Sequence, residues 1–372
     1  MKKKIIISVT NDLTTDQRVD RMCTTLTNMG FDVLLTGRKL KTSLPLQPRT
    51  YRMKRMRLIF NKGPLFYLEY NKRLFLYLLF AKADLQVSND LDTLLGNYLA
   101  AKFRHRPLIH DNHEYFRGVP ELKGRTATMK IWKAIEDGIF PKLKTVIAVN
   151  NSIASLYQEE YGNSITVIRN VPFHKQNTSY ITKVSLGIPE TSKVILYQGA
   201  VNIDRGLEEA ILALKYLKVR AVLLIIGIGD IFEKLKSFAK ENSVDDKVIF
   251  TGQIPLQELH GYTMLADIGL SIEKDVSINY HYCLPNKFMD YIQARVPVLV
   301  SELPEMKAIV EKYDIGEFIT SHAPEQLALD FERMLYDPAK LAVYRKNLET
   351  AAIDLCWENE EKELIRIFQP YA

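Results

Sequence analysis

The chain has 372 residues, 47% of them apolar and 25% charged, with a formal net charge of +6. That length exceeds what one hydrophobic core usually serves, so two domains are expected, and the composition excludes a disordered or collagen-like chain. Cys23, Cys283 and Cys356 share no ligand-like spacing, which argues against a disulfide framework or structural zinc and for a reducing, cytoplasmic setting.

Lys2-Lys3-Lys4 and the run IIISV (5–9) resemble the start of a signal peptide, but the run is short and is followed at once by Asn11-Asp12. It reads as a first buried strand. No apolar run approaches the ~20 residues of a membrane helix. A helix over 16–29 ending at Gly30 comes next, then the strand DVLLTG. Between Asp32 and Glu69 there is no acid. Nine basic residues stand there: Arg38, Lys39, Lys41, Arg49, Arg52, Lys54, Arg55, Arg57 and Lys62. They lead into LFYLEYNKRLFLYLLF. This pattern suits either an anionic membrane surface, at ~1 kcal/mol per basic residue, or a solvated loop followed by a core helix. No nucleic-acid module accompanies the charge.

The strand ADLQVSND, a helix through LLGNYLAAK, the strand PLIHDNHE, a helix around 126–139 and the strand TVIAVN follow. After Asn170-Val171-Pro172 a polar stretch from His174 to Val184 reads as a linker. A second alternation then runs through VILYQGA, a helix at 207–217, AVLLIIGIG, a helix at 231–241, KVIFTG, a helix at 256–265, IGLSI, a helix at 286–294 and VPVLVS. Strand–helix alternation with continuous apolar strands implies parallel sheets covered on both faces. The expected architecture is α/β, with two doubly wound domains, 1–172 and 173–350, facing a central cleft. The amphipathic tail 351–372, with Trp357, Leu364, Ile365 and Phe368 on one side, is expected to be a helix packing back on the first domain.

In such sheets ligands bind beyond the carboxyl ends of strands. After the first strand stand Asn11, Asp16 and Arg18. Asp16 suits a helix cap or a ligand contact, whereas Arg18 is harder to explain as a cap. Asp90 and Asp92 form a carboxylate–x–carboxylate pair. It is either a metal-diphosphate site or a strand end followed by an acidic first helical turn, with Asp90 the better candidate to face the cleft. Asp111-Asn112-His113-Glu114-Tyr115 is the densest polar cluster. A neutral His113 could accept from a sugar hydroxyl or help hold a reacting carbon.

In the second half, Gly199 permits close backbone approach, and Arg205-Gly206 at a helix start suits a diphosphate. Gly227-x-Gly229 is a weak signal, equally a tight strand–helix turn. Pro285 suits a helix start, with Asn286 and Lys287 following. Lys287 and Asp290, one turn apart, are either a surface ion pair or contacts to phosphate and ribose.

Taken in order, DNHEY, RNVP, GAVNIDRGLEEA, LLIIGIGD, FTG and LPNKFMDYIQARVPVL resemble the retaining family-four glycosyltransferases of GT-B fold, from about Ile5 to Phe368. SNDLDTLLGNYLAAK also looks like the segment before the family's His motif. The resemblance implies transfer of a sugar from a UDP- or GDP-sugar to an acceptor, with retention, no metal and no further cofactor. It implies His113 beside the transferred sugar, Arg205-Gly206 at the phosphate loop and Asp290 on the ribose. His113, Arg205 and Lys287 are thus the catalytic candidates. The donor set is Gly199, Arg205, Gly206, Gly227, Gly229, Asn286, Lys287 and Asp290.

Asn11, Arg18, Asp90 and Glu114 are placed on the acceptor side by geometry. The expected acceptor is a glycan or lipid-linked sugar of cell-surface polysaccharide synthesis, with peripheral contact to the inner face of the membrane. Two departures stand out: the family's arginine after the loop glycine is Ala200, and its first glutamate falls on Tyr282. Lys287 is expected to compensate for the missing arginine. A sugar-nucleotide 2-epimerase of the same fold, a metal-dependent single-sheet transferase and an inactive sugar-nucleotide-binding scaffold remain as alternatives.

Overall fold

The computed structural model describes residues 2–14, 16–118, 124–176 and 181–372. Residues 177–180 of the expected linker lie outside the described residues. Two compact units are present. The first comprises residues 1–170, 277–279 and 358–372; the second comprises 171–276 and 280–357.

The first unit contains β1 (Lys4–Ser8), α1 (Gln17–Asn28), β2 (Asp32–Lys39), β3 (Arg52–Arg57), α2 (Gly63–Phe80), β4 (Leu85–Asn89), α3 (Leu91–Arg104), β5 (Leu108–Asn112), α4 (Thr126–Ile139), β6 (Thr145–Ala148), α5 (Asn151–Tyr161) and β7 (Ile165–Val167). All strand pairs are parallel, in the order β3-β2-β1-β4-β5-β6-β7. The chain reverses direction across the sheet between β1 and β4, which puts the switch point of a doubly wound sheet at their carboxyl ends. Asp16 caps α1, accepting from the Val19 amide at 3.0 Å, so the capping reading holds.

The basic stretch is not simply a solvated loop. RMKRMR is β3, an edge strand, and most of its charge is tied into the fold. Arg52 pairs with Asp32 (2.8 Å), Lys54 lies 3.7 Å over the Tyr77 ring, and Arg55 donates to the carbonyls of Asp12 and Leu44 (both 2.7 Å). Arg38 rests on Phe66, and Arg49 donates to Tyr51. Lys39, Lys41, Arg57 and Lys62 remain exposed. Helix α2 buries Phe66, Tyr70, Leu74 and Leu78 against Ile6 and Ala100, each such burial contributing about 1.5–3 kcal/mol. Its opposite face leaves Leu65, Leu68, Leu76 and Phe80 exposed.

The second unit contains β8 (Lys193–Gln198), α6 (Leu207–Ala213), β9 (Ala221–Ile226), α7 (Phe232–Glu241), β10 (Val248–Gly252), α8 (Leu256–Thr263), β11 (Ile268–Ser271), the short α9 (Ile278–His281), α10 (Asn286–Gln293), β12 (Val298–Val300), α11 (Pro304–Tyr313), β13 (Gly316–Phe318), α12 (Pro324–Leu335) and α13 (Pro338–Asp354). Its strands are also parallel, in the order β10-β9-β8-β11-β12-β13, so the switch point falls between β8 and β11. Alternate residues of β8 serve opposite faces. Ile195 and Tyr197 join one core cluster and Val194 and Leu196 another, which is why the run is apolar throughout.

The tail forms α14 (Trp357–Phe368), with Trp357, Leu364 and Phe368 fully buried. Thr25 donates to Glu361 (2.9 Å) and the Arg169 amide to Glu360 (2.7 Å), both ties within the first unit. Among the described residues no helix is long and apolar enough to cross a membrane.

Candidate functional site

In the first unit the polar residues gather at the ends of β1, β4 and β5. Asp111, in β5, is fully buried and takes a two-pronged interaction from Arg18: Nε to Oδ2 at 3.1 Å and Nη2 to Oδ1 at 2.6 Å. The third arginine nitrogen donates to the Ile168 carbonyl at 2.6 Å. Arg18 is only 2% exposed, so the expectation that it reaches an acceptor is corrected: its three terminal nitrogens are engaged inside the protein.

His113 follows β5 directly. Its Nε2 lies 3.1 Å from both Asp111 Oδ2 and Asn89 Oδ1, and its Nδ1 lies 3.6 Å from Asp90 Oδ2. Burial works against its protonation, but Asp90 and Asp111 outweigh that and raise it to about 9. Facing these two carboxylates, His113 favours the imidazolium, a donor on both nitrogens, over the neutral accepting form expected from sequence. Three residues earlier, His110 is fully buried and pushed down to about 4 by burial. Burial would also raise Asp111, yet Arg18 and His113 hold it well below the usual carboxylate range.

Asp90 sits in a sparsely populated backbone conformation, φ 56° and ψ 165°, that costs on the order of 1–3 kcal/mol for a non-glycine residue. This places its Oδ1 to accept from the His113 amide at 2.8 Å. Burial raises its carboxyl, with His113 pulling it back. Asp92 points elsewhere, accepting from Thr10 at 2.6 Å, and burial followed by the Asp90 charge raises it to about 7. The two carboxylates thus have separate hydrogen-bond partners, although the Asp90 charge acts on Asp92. Asn11 is half-buried, donating to Asp16 (2.8 Å) and accepting from the Leu13 amide (2.9 Å). Glu114 is half-buried in the loop after His113.

In the second unit the loops after β8 and β9 pack backbone on backbone. A side chain on Gly227 (φ +131°) would overlap the Gly199 carbonyl, and one on Gly229 the Val201 carbonyl. The protein's own chain therefore accounts for the Gly227-x-Gly229 pattern as a tight turn. Gly206 (φ +73°) lies against Ile272, whose carbonyl oxygen a Cβ would approach to 2.6 Å, and this brings the Arg205 loop onto the end of β11.

Arg205 and Lys287 meet there on Glu273, a fully buried acid that sequence reading did not single out. Arg205 Nη1 is 3.4 Å from Glu273 Oε1, and Lys287 Nζ bonds the same oxygen. Lys287 is 7% exposed, and its partner is Glu273, not the Asp290 that helical spacing suggested. Arg205 Nε is buried and has no hydrogen-bond partner among the described residues. Burial opposes the charge on Lys287, but Glu273 outweighs it and raises the ammonium above its ordinary range. Asp290 accepts from Gln198 Nε2 at 3.1 Å, and Gln198 in turn accepts from Thr263 at 2.7 Å. Asn286 is exposed at the start of α10.

His113 thus belongs to the first unit, and Arg205, Gly206, Lys287 and Asp290 to the second. The signal for Glu273 was an acid directly after the apolar strand IGLSI.

Residues 181–351 match the family described as Glycosyl transferases group 1, and residues 16–171 that described as Glycosyltransferase Family 4. An uncharacterised glycosyltransferase of Methanocaldococcus jannaschii is 25% identical over 198 residues, 50% of this chain and 47% of that protein. The match spans about half the length of that curated relative. A sucrose-phosphate synthase from Thermosynechococcus elongatus superposes with a TM-score of 0.80 at 18% identity, covering 100% of this chain and 99% of the other. Anabaena HepE in complex with UDP superposes with a TM-score of 0.77 at 13% identity, over 99% and 100% of the two chains, and HepE is also solved with UDP-glucose. At these identities the likeness is one of fold: two parallel Rossmann-like sheets of seven and six strands, as in GT-B.

Proposed function

Since the chain belongs to the group 1, family 4 glycosyltransferases, we propose that it moves a sugar from a UDP- or GDP-sugar to a glycan or lipid-linked acceptor of cell-surface polysaccharide synthesis, with retention and without a metal ion. The observation that carries this reading is the pair of cations, Arg205 and Lys287, gathered at the β8/β11 switch point beside Asp290. Arg205 and Lys287 share a single carboxylate, Glu273, where a nucleoside diphosphate would sit. Their interaction with the donor gains most as the bond from the anomeric carbon to the β-phosphate oxygen breaks. The acceptor oxygen takes the sugar, and its proton passes to the departing phosphate. Arg205 and Lys287 do for the diphosphate what a divalent ion does elsewhere, and the Asp290 carboxylate suits ribose hydroxyls. UDP and UDP-glucose in the HepE structures support a uridine nucleotide. His113, as an imidazolium, suits donation to a hydroxyl of the transferred sugar. The epimerase and scaffold alternatives are not favoured.

The exposed face of α2 supports the membrane side of the reading. Leu65, Leu68, Leu76 and Phe80 are exposed on one face of α2, with exposed Lys72 among them, and such a face suits an anionic bilayer surface.

The test is thermal stabilisation by UDP, GDP and ADP, and by their common sugar nucleotides, each with and without a chelator. A rise in melting temperature with one base, indifferent to chelator, is expected. No response to any of them would refute the reading.

A further inference from the structure

Arg205 and Lys287 reach one point from different parts of the chain, the first from the loop before α6 and the second from the first turn of α10. Two cations so close repel each other, and Lys287 is buried as well, so neither position is stable without a counter-charge. Glu273 supplies it. Its Oε1 receives both cations, while its Oε2 accepts from Ser271 Oγ at 2.9 Å, which fixes the carboxylate plane. Aromatic rings complete the enclosure: Lys287 Nζ lies 4.7 Å over Tyr197, and the Arg205 guanidinium 4.9 Å over Tyr280.

We propose that Glu273 is the positioning residue of the donor site, holding Lys287 and Arg205 together on one oxygen so that they meet the diphosphate as a pre-assembled, fully charged pair. This rests on the nucleotide-sugar reading above. It also gives the second unit an acid of its own at the strand end, where the family resemblance led to Tyr282. Glu273 need not touch the donor; it acts through the two cations.

The consequence is a pH dependence that a merely space-filling residue would not produce. The groups facing the cluster are Tyr197 from β8, Arg205 before α6, Ser271 from β11, Tyr280 from α9, and Cys283 and Lys287 from the segment that follows. Burial pushes the Cys283 thiol up to about 12, and Tyr197 and Tyr280 are raised by burial too, so none of these loses a proton between pH 7 and 9. With Glu273 in place Lys287 stays charged throughout that window. Without it, burial and the neighbouring Arg205 charge both work against the ammonium and lower it.

UDP binding by calorimetry at pH 7 and pH 8.8, on the full chain, tests this, each variant being compared with the wild type at the same pH. Glu273→Gln is expected to weaken UDP by on the order of tenfold at pH 7. The deficit should widen severalfold at pH 8.8, and the widening should vanish in Glu273→Gln/Lys287→Met. Glu273→Asp, which keeps the charge but withdraws it by one methylene, should weaken binding equally at both pH values, and it remains informative if the Gln variant does not fold. Wild-type affinity in Glu273→Gln or Glu273→Asp, or a Glu273→Gln deficit that does not change with pH, overturns the positioning role and leaves the nucleotide reading standing. If the wild type itself binds neither UDP nor GDP, both fall together.

Discussion

Replacing Arg18 with methionine probes how the His113 cluster is built. The guanidinium and the Asp111 carboxylate are 2% and 0% exposed and share two hydrogen bonds, so Arg18→Met leaves a buried carboxylate with only His113 as counter-charge. Breaking one side of a buried pair typically costs about 3–5 kcal/mol. For a unit of this size each kcal/mol moves the melting temperature by roughly 2–4 °C, so a fall of roughly 6–20 °C is expected in the transition of the first unit. Scanning calorimetry is the assay, because two units need not melt as one two-state transition. Arg18→Met/Asp111→Leu removes both charges and should regain more than half of the loss, since apolar replacement of a whole buried pair is often neutral. A single variant melting within about 2 °C of the wild type, or a double variant as unstable as the two losses summed, would refute the reasoning.

Two further outcomes are expected. His113 should titrate near 9 and His110 near 4 in NMR spectra of histidine-labelled protein, assigned through His113→Gln. Its folded value lies above the ordinary 6.5, so its contribution to stability is complete below that pH and is lost as pH rises through about 9; a midpoint at or below 6.5 would contradict the ion-pair geometry. Second, Leu65→Ser/Leu68→Ser/Phe80→Ser should reduce co-sedimentation with anionic vesicles severalfold while melting stays close to wild type, because these side chains face away from the α2 core. Undiminished sedimentation would remove α2 as the docking face.

The two-sheet fold was legible because buried parallel strands leave an unmistakable trace. III, VILY and AVLLII are apolar on every residue since both faces of each strand are covered. The strands that escaped notice lack that signature. RMKRMR is an edge strand whose Arg52 pairs with Asp32 and whose Arg55 donates to backbone carbonyls of neighbouring loops, so its charge pattern reads as a loop. β7 and β13 are three residues each, too short for any period to show.

The candidate site was legible as a set of positions but not as a set of charges. In each unit one fully buried acid at a strand end collects two cations: Asp111 takes Arg18 and His113, and Glu273 takes Arg205 and Lys287. The anomaly of Arg18 was visible as a poor cap, but its partner lies 93 residues away. The spacing of Lys287 and Asp290 suggested a local ion pair, whereas the actual partner stands 14 residues earlier, beyond the end of β11. Helical spacing brings neighbours on one helix together at little energetic gain, while burial makes an unpaired charge costly enough to dictate which distant acid must be there. Which cations stay free for a ligand follows from that pairing, and the pairing is set by strand order, since the loops beyond β4 and β5, and beyond β8 and β11, end side by side.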